Sequence, residues 1–294
     1  MDASIVIRTY NEAKWLGEAL EACVAQDDSE CSFEIVIVDS GSTDGTLEIA
    51  EKHGCRITHI KKSDFTFGRS LNVGCEFAKG RVLVFISGHC IPVGDKWLIN
   101  LVRPLLEGQC AFTYGRQIGR PGVTKFSEQQ LFNKYFPAHS AIPQEGFFCN
   151  NANSAVLTEV WEKYRFDETV TGLEDMVMGK QLVADGHKIG YVADSAVVHL
   201  HEESWSKVKT RYEREAVALQ DIMPEVHIRF RDFVRYTIAG MLFDWSEALN
   251  QRVFWREAGN IFMFRLMQYW GSYKGNNDHR QLSQSRKDRY FYPR

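Results

Sequence analysis

The sequence predicts an α/β domain, a mostly parallel sheet flanked by helices, with a helical C-terminal extension. Three observations predict it. Short apolar, β-branched runs alternate with helical patterns between residues 4 and 89, as in parallel sheets covered on both faces. Polar clusters follow three of those runs, where such sheets place their ligands. From Ser204 onward the apolar period is helical, with a break at Pro224.

The elements follow in order. Ser4 to Arg8 reads as a buried strand. Asn11 to Ala25 carries Leu16, Leu20 and Cys23 on one helical stripe. Phe33 to Val38 is a second strand, running into the turn Asp39 to Gly45, and Thr46 to His53 is a helix. Cys55 to Ile60 is a third strand and Ser70 to Ala78 a helix. Arg81 to Ile86 is a fourth strand, ending at Ser87-Gly88-His89. Beyond residue 100 the pattern is less regular. Gln109 to Gln117 and Lys188 to Val192 read as strands, and Gly172 to Asp185 as a helix opening on acids. The expected division is a domain over 1–215 and a helical extension over 216–294.

The chain has 294 residues, 44% hydrophobic and 25% charged, ordinary values for a globular protein with a sizeable core. A net charge of -3 gives no global basic field, so nucleic acid is not an expected partner. The seven cysteines are odd in number, irregularly spaced and without a CxxC, which predicts reduced, buried thiols in a cytosolic protein. The N-terminus lacks the basic start and apolar core of a signal peptide, and no 18-residue apolar run occurs. The expected location is cytoplasmic, with peripheral contact at the cytoplasmic membrane face as an option.

Five blocks carry candidate chemistry: Arg8-Thr9-Tyr10-Asn11-Glu12, the run Val38 to Thr46, Arg69 with Asn72 and Gly74, Ser87-Gly88-His89, and Glu174-Asp175. In this order and spacing they resemble family 2 glycosyltransferases, which have the GT-A fold, over about residues 4 to 215. Asp64-Phe65-Thr66-Phe67-Gly68-Arg69 and His199-Leu200-His201 are similar to the rhamnosyltransferase-like branch.

The resemblance implies a nucleotide-sugar donor whose base and ribose lie near Thr9, Tyr10, Asn11 and Glu12. On the residues alone, Asn11 and Glu12 also suit a helix start. Asp39 and Ser40 offer acceptors at a strand end, either to a base or to the loop holding it. Arg69 and Asn72 share a helix face, and the cation suits diphosphate as well as solvent. Ser87 and Gly88 close the nucleotide set. At Ser87 and His89 many relatives carry Asp-x-Asp, whose acids bind Mn2+ or Mg2+. His89, His199 and His201 are therefore candidates for metal or diphosphate, and imidazole suits Mg2+ less well. Asp175 is the candidate base for an acceptor hydroxyl, with Glu174 orienting it. Asn151 and Asn153 are candidates for acceptor or sugar contacts.

The implied reaction is inverting transfer from UDP- or dTDP-sugar to a glycan or lipid-linked glycan, as in bacterial surface polysaccharide synthesis. Rival readings are a sugar-1-phosphate nucleotidyltransferase, and a transferase-like glycan- or subunit-binding module without chemistry. No GxGxxG follows an early strand, which disfavours a dinucleotide oxidoreductase. Residues 229–294 interleave aromatics with arginines, and the tail from Lys274 has six Lys/Arg against two Asp. Such a segment suits a core face, a homo-oligomer interface or a membrane surface.

Overall fold

A computed structural model of the chain describes residues 1–278 and 290–291. In chain order the elements are β1 (Ala3–Thr9), α1 (Ala13–Val24), β2 (Phe33–Asp39), α2 (Thr46–Lys52), β3 (Arg56–His59), α3 (Phe67–Phe77) and β4 (Val82–Ser87). Next come β5 (Cys90–Pro92), α4 (Trp97–Leu106), β6 (Phe112–Ile118), α5 (Phe126–Tyr135), β7 (Asn153–Leu157) and α6 (Thr158–Tyr164). The last are α7 (Glu174–Ala184), β8 (Ile189–His199), α8 (Trp205–Ile222), α9 (Phe230–Asn250) and α10 (Phe254–Asn276). The chain forms two compact units. One comprises Met1–Arg120, Tyr135–Thr169 and Glu174–Leu200; the other comprises Pro121–Lys134, Val170–Leu173 and His201–Arg294.

The first unit holds an eight-stranded sheet of order β3-β2-β1-β4-β7-β6-β8-β5. Strands β3, β2, β1 and β4 are parallel, as the alternating pattern predicts. The expectation of a mostly parallel sheet holds: β6 and β8 pair in parallel and run in the direction of β4, so six of the eight strands point one way. Strand β7 runs antiparallel to both β4 and β6, and β5 runs antiparallel to β8, so the sheet is mixed. Ile5, Val6 and Ile7 are all buried, which is why β1 reads as a continuous apolar run rather than an alternating one. Helix α1 buries Leu16, Leu20 and Cys23, the predicted stripe, together with Ala19. Helix α3 lies close on the sheet: a Cβ at Gly74 would fall 2.5 Å from Val6 and 2.7 Å from Val38. Helix α4 lies outside the predicted elements. It buries seven of its ten residues, so no polar face marks its period, and Pro104 reads as a breaker. The seven cysteines are free thiols, and burial pushes the Cys31 and Cys55 thiols up to about 11.

In the second unit the predicted helices are present, and the expected boundary at 215/216 falls inside α8. Helix α10 meets α8 through glycines. A Cβ at Gly271 would sit 2.3 Å from the Lys209 carbonyl oxygen, and one at Gly275 would sit 2.1 Å from that of Glu213. Helices α9 and α10 are joined by a buried bidentate pair: Arg265 donates from Nε and Nη2 to Asp244, each at 2.7 Å. No described helix is long and apolar enough to cross a membrane.

Candidate active site

The parallel register sets Thr9 beside Asp39 and Arg8 beside Ser87, so three strand ends converge. Asp39 is 1% exposed. Its carboxylate accepts from Thr9 Oγ1 (3.1 Å), Gly41 N (2.8 Å), Ser42 N (3.0 Å) and Ser42 Oγ (2.5 Å). Of its two predicted roles, holding the loop is the one these bonds perform. Gly41 takes φ +98, which the turn requires and an L side chain resists. Ser40 donates twice to the Thr9 carbonyl.

Asn11 departs from the helix-cap reading. At φ 57 it lies in the left-handed region, where its Oδ1 accepts from Thr43 N at 2.8 Å and its N donates to Ser42 Oγ at 2.9 Å. The first turn of α1 is capped across the loops instead, with Ala13 N donating to Asp44 at 3.0 Å. Two strand-end loops are thus tied into one backbone cradle. The half-buried ring of Tyr10 carries Lys62, whose Nζ lies 3.0 Å from the phenol oxygen. Arg69 is exposed on α3.

Asn72 is a correction. Its Nδ2 donates to Phe166 O and Glu168, both at 2.9 Å, and its Oδ1 accepts from Trp161 Nε1 (3.0 Å) and Phe166 N (3.1 Å). A fully committed amide has no donor or acceptor left for a nucleotide. Asn72 latches α3 to the segment after α6.

His89 follows the end of β4 and meets Glu12, both carboxylate oxygens lying 3.2 Å from Nδ1. Gly88 lets Glu12 approach: a Cβ there would lie 3.1 Å from Glu12 Cγ. The ring of His199 stacks on His89 at 5.2 Å between centroids. His199 Nδ1–H donates to Gln117 Oε1 at 2.7 Å, and Gln117 donates on to Asn150. That bond fixes the tautomer and puts the imidazole lone pair on Nε2, the form that ligates a cation.

His201 belongs to the second unit. Its Nδ1 donates to Glu128 at 2.8 Å, and Arg211 bonds both Glu128 (2.7 Å) and Glu203 (2.8 Å). Despite its burial, the Glu128 carboxyl is held down to about 2 by its contacts with His201 and the Arg211 guanidinium. Glu128, His201 and Glu203 bring ligand atoms within 4.8 Å, but Arg211 already supplies the positive charge a metal would bring.

Glu174 and Asp175 open α7 and are both buried. Leu173 just before them takes φ 58, an αL position costly for a leucine. Asp175 accepts from Asn151 N (Oδ2, 2.7 Å) and Met176 N (Oδ1, 2.7 Å). Burial first, and then the Glu174 charge, raise its carboxyl to about 7, against the pull of the two N–H groups and Arg8. Arg8 Nη1 lies 3.2 Å from Glu174 and donates to Phe67 O at 2.9 Å. Asn151 therefore holds the candidate base through its backbone. Asn153 is a second correction: it is 0% exposed, accepts from Trp97 Nε1 and donates to Arg116 O and Ser195 O. It packs the sheet and presents nothing to a sugar.

Sequence reasoning named no role for Arg8 or Gln117. Arg8 had a signal, a cation ending the apolar run Ile5-Val6-Ile7. Gln117 had none, because its role depends on the non-local β6–β8 pairing that sets it near His199.

The family model "Glycosyl transferase family 2" matches residues 4–165. Among curated proteins, the O-antigen chain rhamnosyltransferase RfbN of Salmonella typhimurium is 25% identical over 223 residues, covering 72% of this chain and 70% of that protein. Glycosyltransferase AglE of Haloferax volcanii is 32% identical over 122 residues, covering 38% and 40%. The poly(ribitol-phosphate) β-N-acetylglucosaminyltransferase TarS of Staphylococcus aureus is 32% identical over 91 residues, covering 30% and 16%. The matches to AglE and TarS thus span well under two thirds of those proteins. Among solved structures, mannosyltransferase PcManGT from Pyrobaculum calidifontis, in complex with GDP-Man and Mn2+, has a TM-score of 0.65 at 16% identity, covering 95% of this chain and 88% of that one. S. aureus TarS 1–349 with UDP-GlcNAc has a TM-score of 0.57 at 15% identity, covering 95% and 93%. These structural likenesses carry the GT-A fold.

Proposed function

The chain belongs to glycosyl transferase family 2, and from that membership we propose an inverting transferase acting from a nucleotide-diphosphate sugar, UDP- or dTDP-linked, onto a hydroxyl of a surface polysaccharide or its lipid-linked precursor. The acceptor class rests on the names of the relatives, an O-antigen chain enzyme and a poly(ribitol-phosphate) enzyme. The observation that carries the chemistry is Asp175: a buried carboxylate, held by two backbone N–H groups, with its pKa near 7.

An alcohol is a weak nucleophile until a base takes its proton during attack, and a base works best when its pKa lies near the working pH. Asp175 accepts the acceptor's hydroxyl proton. The oxygen bonds the anomeric carbon from the face opposite the diphosphate, the carbon–phosphate-oxygen bond breaks, and its electron pair leaves on the nucleoside diphosphate. Glu174, paired with Arg8, keeps a second negative charge beside Asp175 and so supports its basicity. The cradle of Thr9, Tyr10, Asn11, Glu12, Asp39 and Ser40 receives the base and ribose, with Arg69, Ser87 and Gly88 toward the diphosphate.

The donor set at His89 and His199 fits a divalent cation. Two stacked imidazoles, one with its Nε2 lone pair fixed, adjoin the Glu12 carboxylate, a mixed set that suits Mn2+ better than Mg2+. Such an ion supplies positive charge to the leaving diphosphate.

The test is Asp175→Asn. Turnover falls about 10²–10⁴-fold, while a thermal-shift titration with UDP or dTDP is unchanged. Unaltered turnover removes Asp175 as base. Release of pyrophosphate from a nucleoside triphosphate, instead of nucleoside diphosphate from the sugar donor, overturns the transferase reading.

A further inference from the structure

We propose that the exposed face of α9 is a membrane-docking surface that lies in the headgroup plane of anionic lipid.

The first observation is the face itself. Helix α9 is 21 residues long, hence about 30 Å. Val234, Ile238, Leu242 and Leu249 fall on one helical stripe, and all are exposed. Tyr236 and Phe243, seven residues apart, form a second exposed strip about 100° further round the helix, beyond Ala239 and Ser246, and Phe243 is 65% exposed. Between Tyr236 and Leu249 the exposed positions of α9 are apolar apart from Ser246. In the turn after α9, Trp255 is 93% exposed at the start of α10. An apolar surface of this length is not left in water without a use.

The second observation is charge, and it selects the occupant. Every exposed charged residue between 230 and 256 is an arginine: Arg231 and Arg235 at one end of the apolar face, Arg252 and Arg256 at the other. The acids of the same stretch each have a partner, Asp244 in the interior and the others at the surface. Asp232 caps α9, Asp244 is buried against Arg265, Glu247 accepts from Gln251, and Glu257, just beyond, pairs with Arg256. A second copy of the chain fits poorly. Parallel or antiparallel, two α9 faces would bring arginine against arginine at both ends. Anionic headgroups meet Arg231, Arg235 and Arg252 and share Arg256 with Glu257, while the leucines and aromatics enter the acyl boundary. Trp255 and Tyr236 are the residue types that favour that depth. The chain lies on the membrane through this face: no described helix can span one.

This inference stands on the second unit alone and does not depend on the assignment of Asp175. Its test uses the full chain in co-flotation with phosphatidylcholine vesicles and with phosphatidylcholine vesicles containing phosphatidylglycerol. The expected result is flotation with the anionic vesicles only. Binding is lost in the double variant Leu242→Glu, Phe243→Glu. It falls about a hundredfold or more when Arg231, Arg235, Arg252 and Arg256 become glutamine, and it weakens as salt is raised. All these positions are exposed, and unchanged donor hydrolysis by the variants certifies the fold. Failure of the wild type to float, or equal flotation with neutral vesicles, overturns the proposal. So does sedimentation analysis showing a stable dimer that the Leu242→Glu, Phe243→Glu variant disperses, which would assign the face to a second copy. Loss of activity in Asp175→Asn with flotation intact separates this surface from the chemistry.

Discussion

Asp39 and Asp175 are both buried aspartates fed by backbone N–H groups, yet the protein uses them in different ways. Asp39 takes four donors and organises a loop. Asp175 takes two and keeps a pKa near 7. Asp39→Ala removes a charge-assisted hub, so stability drops by about 2–3 kcal/mol in denaturant melts, and the thermal shift produced by UDP or dTDP is lost. A variant that melts earlier but still responds to nucleotide would confine Asp39 to a structural role. At the metal candidates, Mn2+ added with donor nucleotide is expected to raise the wild-type melting temperature, and His199→Ala to abolish that rise. An undiminished Mn2+ response removes His199 from the donor set. Asp39 and His199 were legible in the sequence because strand ends in α/β sheets are where polar residues have no packing reason to be, and Asp175 because it belongs to an acidic pair opening a helix. The asparagines were not. Asn72 and Asn153 have the same donors and acceptors as a ligand-binding amide, and only the positions of Phe166, Trp161, Trp97 and Ser195 show them to be consumed internally. Those partners lie 42 to 94 residues away in the chain, out of reach of any local pattern.

At the scale of elements, β1, β2 and β4 were readable because each is a short apolar run between turn residues, and β3, Arg56–His59, because β-branched Ile57 and Thr58 sit between the α2 end and the next turn. Strand β7 was hidden, for Asn153-Ser154-Ala155-Val156-Leu157 opens on two polar residues that are buried in the sheet. It is one of the two strands that run against the other six, and Asn151, just before it, donates its N–H to Asp175. Helices α9 and α10 carry an analogous case. Their contact looks from sequence like a run of aromatics, but its centre is the Asp244–Arg265 pair, with Gln268 bonded to Arg265 at 2.8 Å. Asp244→Ala strands a buried guanidinium and costs about 3–5 kcal/mol, read as a lower denaturation midpoint. Restoring volume without charge, as in Asp244→Leu with Arg265→Met, recovers most of that loss. If the double variant is as unstable as the single one, the pair contributes more than mutual neutralisation.

For the molecule as a whole, one proton couples catalysis to stability, with opposite slopes. The Asp175 carboxyl sits near 7 in the folded chain against an ordinary 3.8, so the folded state binds more protons than the unfolded state across that interval. Its stabilising share is complete below the unfolded value and is lost as pH rises through about 7. Glu215, raised by burial, acts in the same direction. Glu128, held near 2, has the opposite sign: its contribution is complete above 4.5 and disappears only in acid. Between pH 5 and 8 the falling contribution of Asp175 therefore dominates, and the melting temperature of the wild type declines by several degrees over that range. Turnover does the reverse, since only the ionised carboxylate takes a proton. The rate rises about tenfold per unit below pH 7 and levels above it. Asp175→Asn, which cannot titrate, has a flatter melting profile and a residual rate without the inflection. Melting curves and rate profiles taken on the same two proteins decide it. If the variant's melting profile runs parallel to the wild type's, the proton is not on Asp175, and the base must be sought at Glu174.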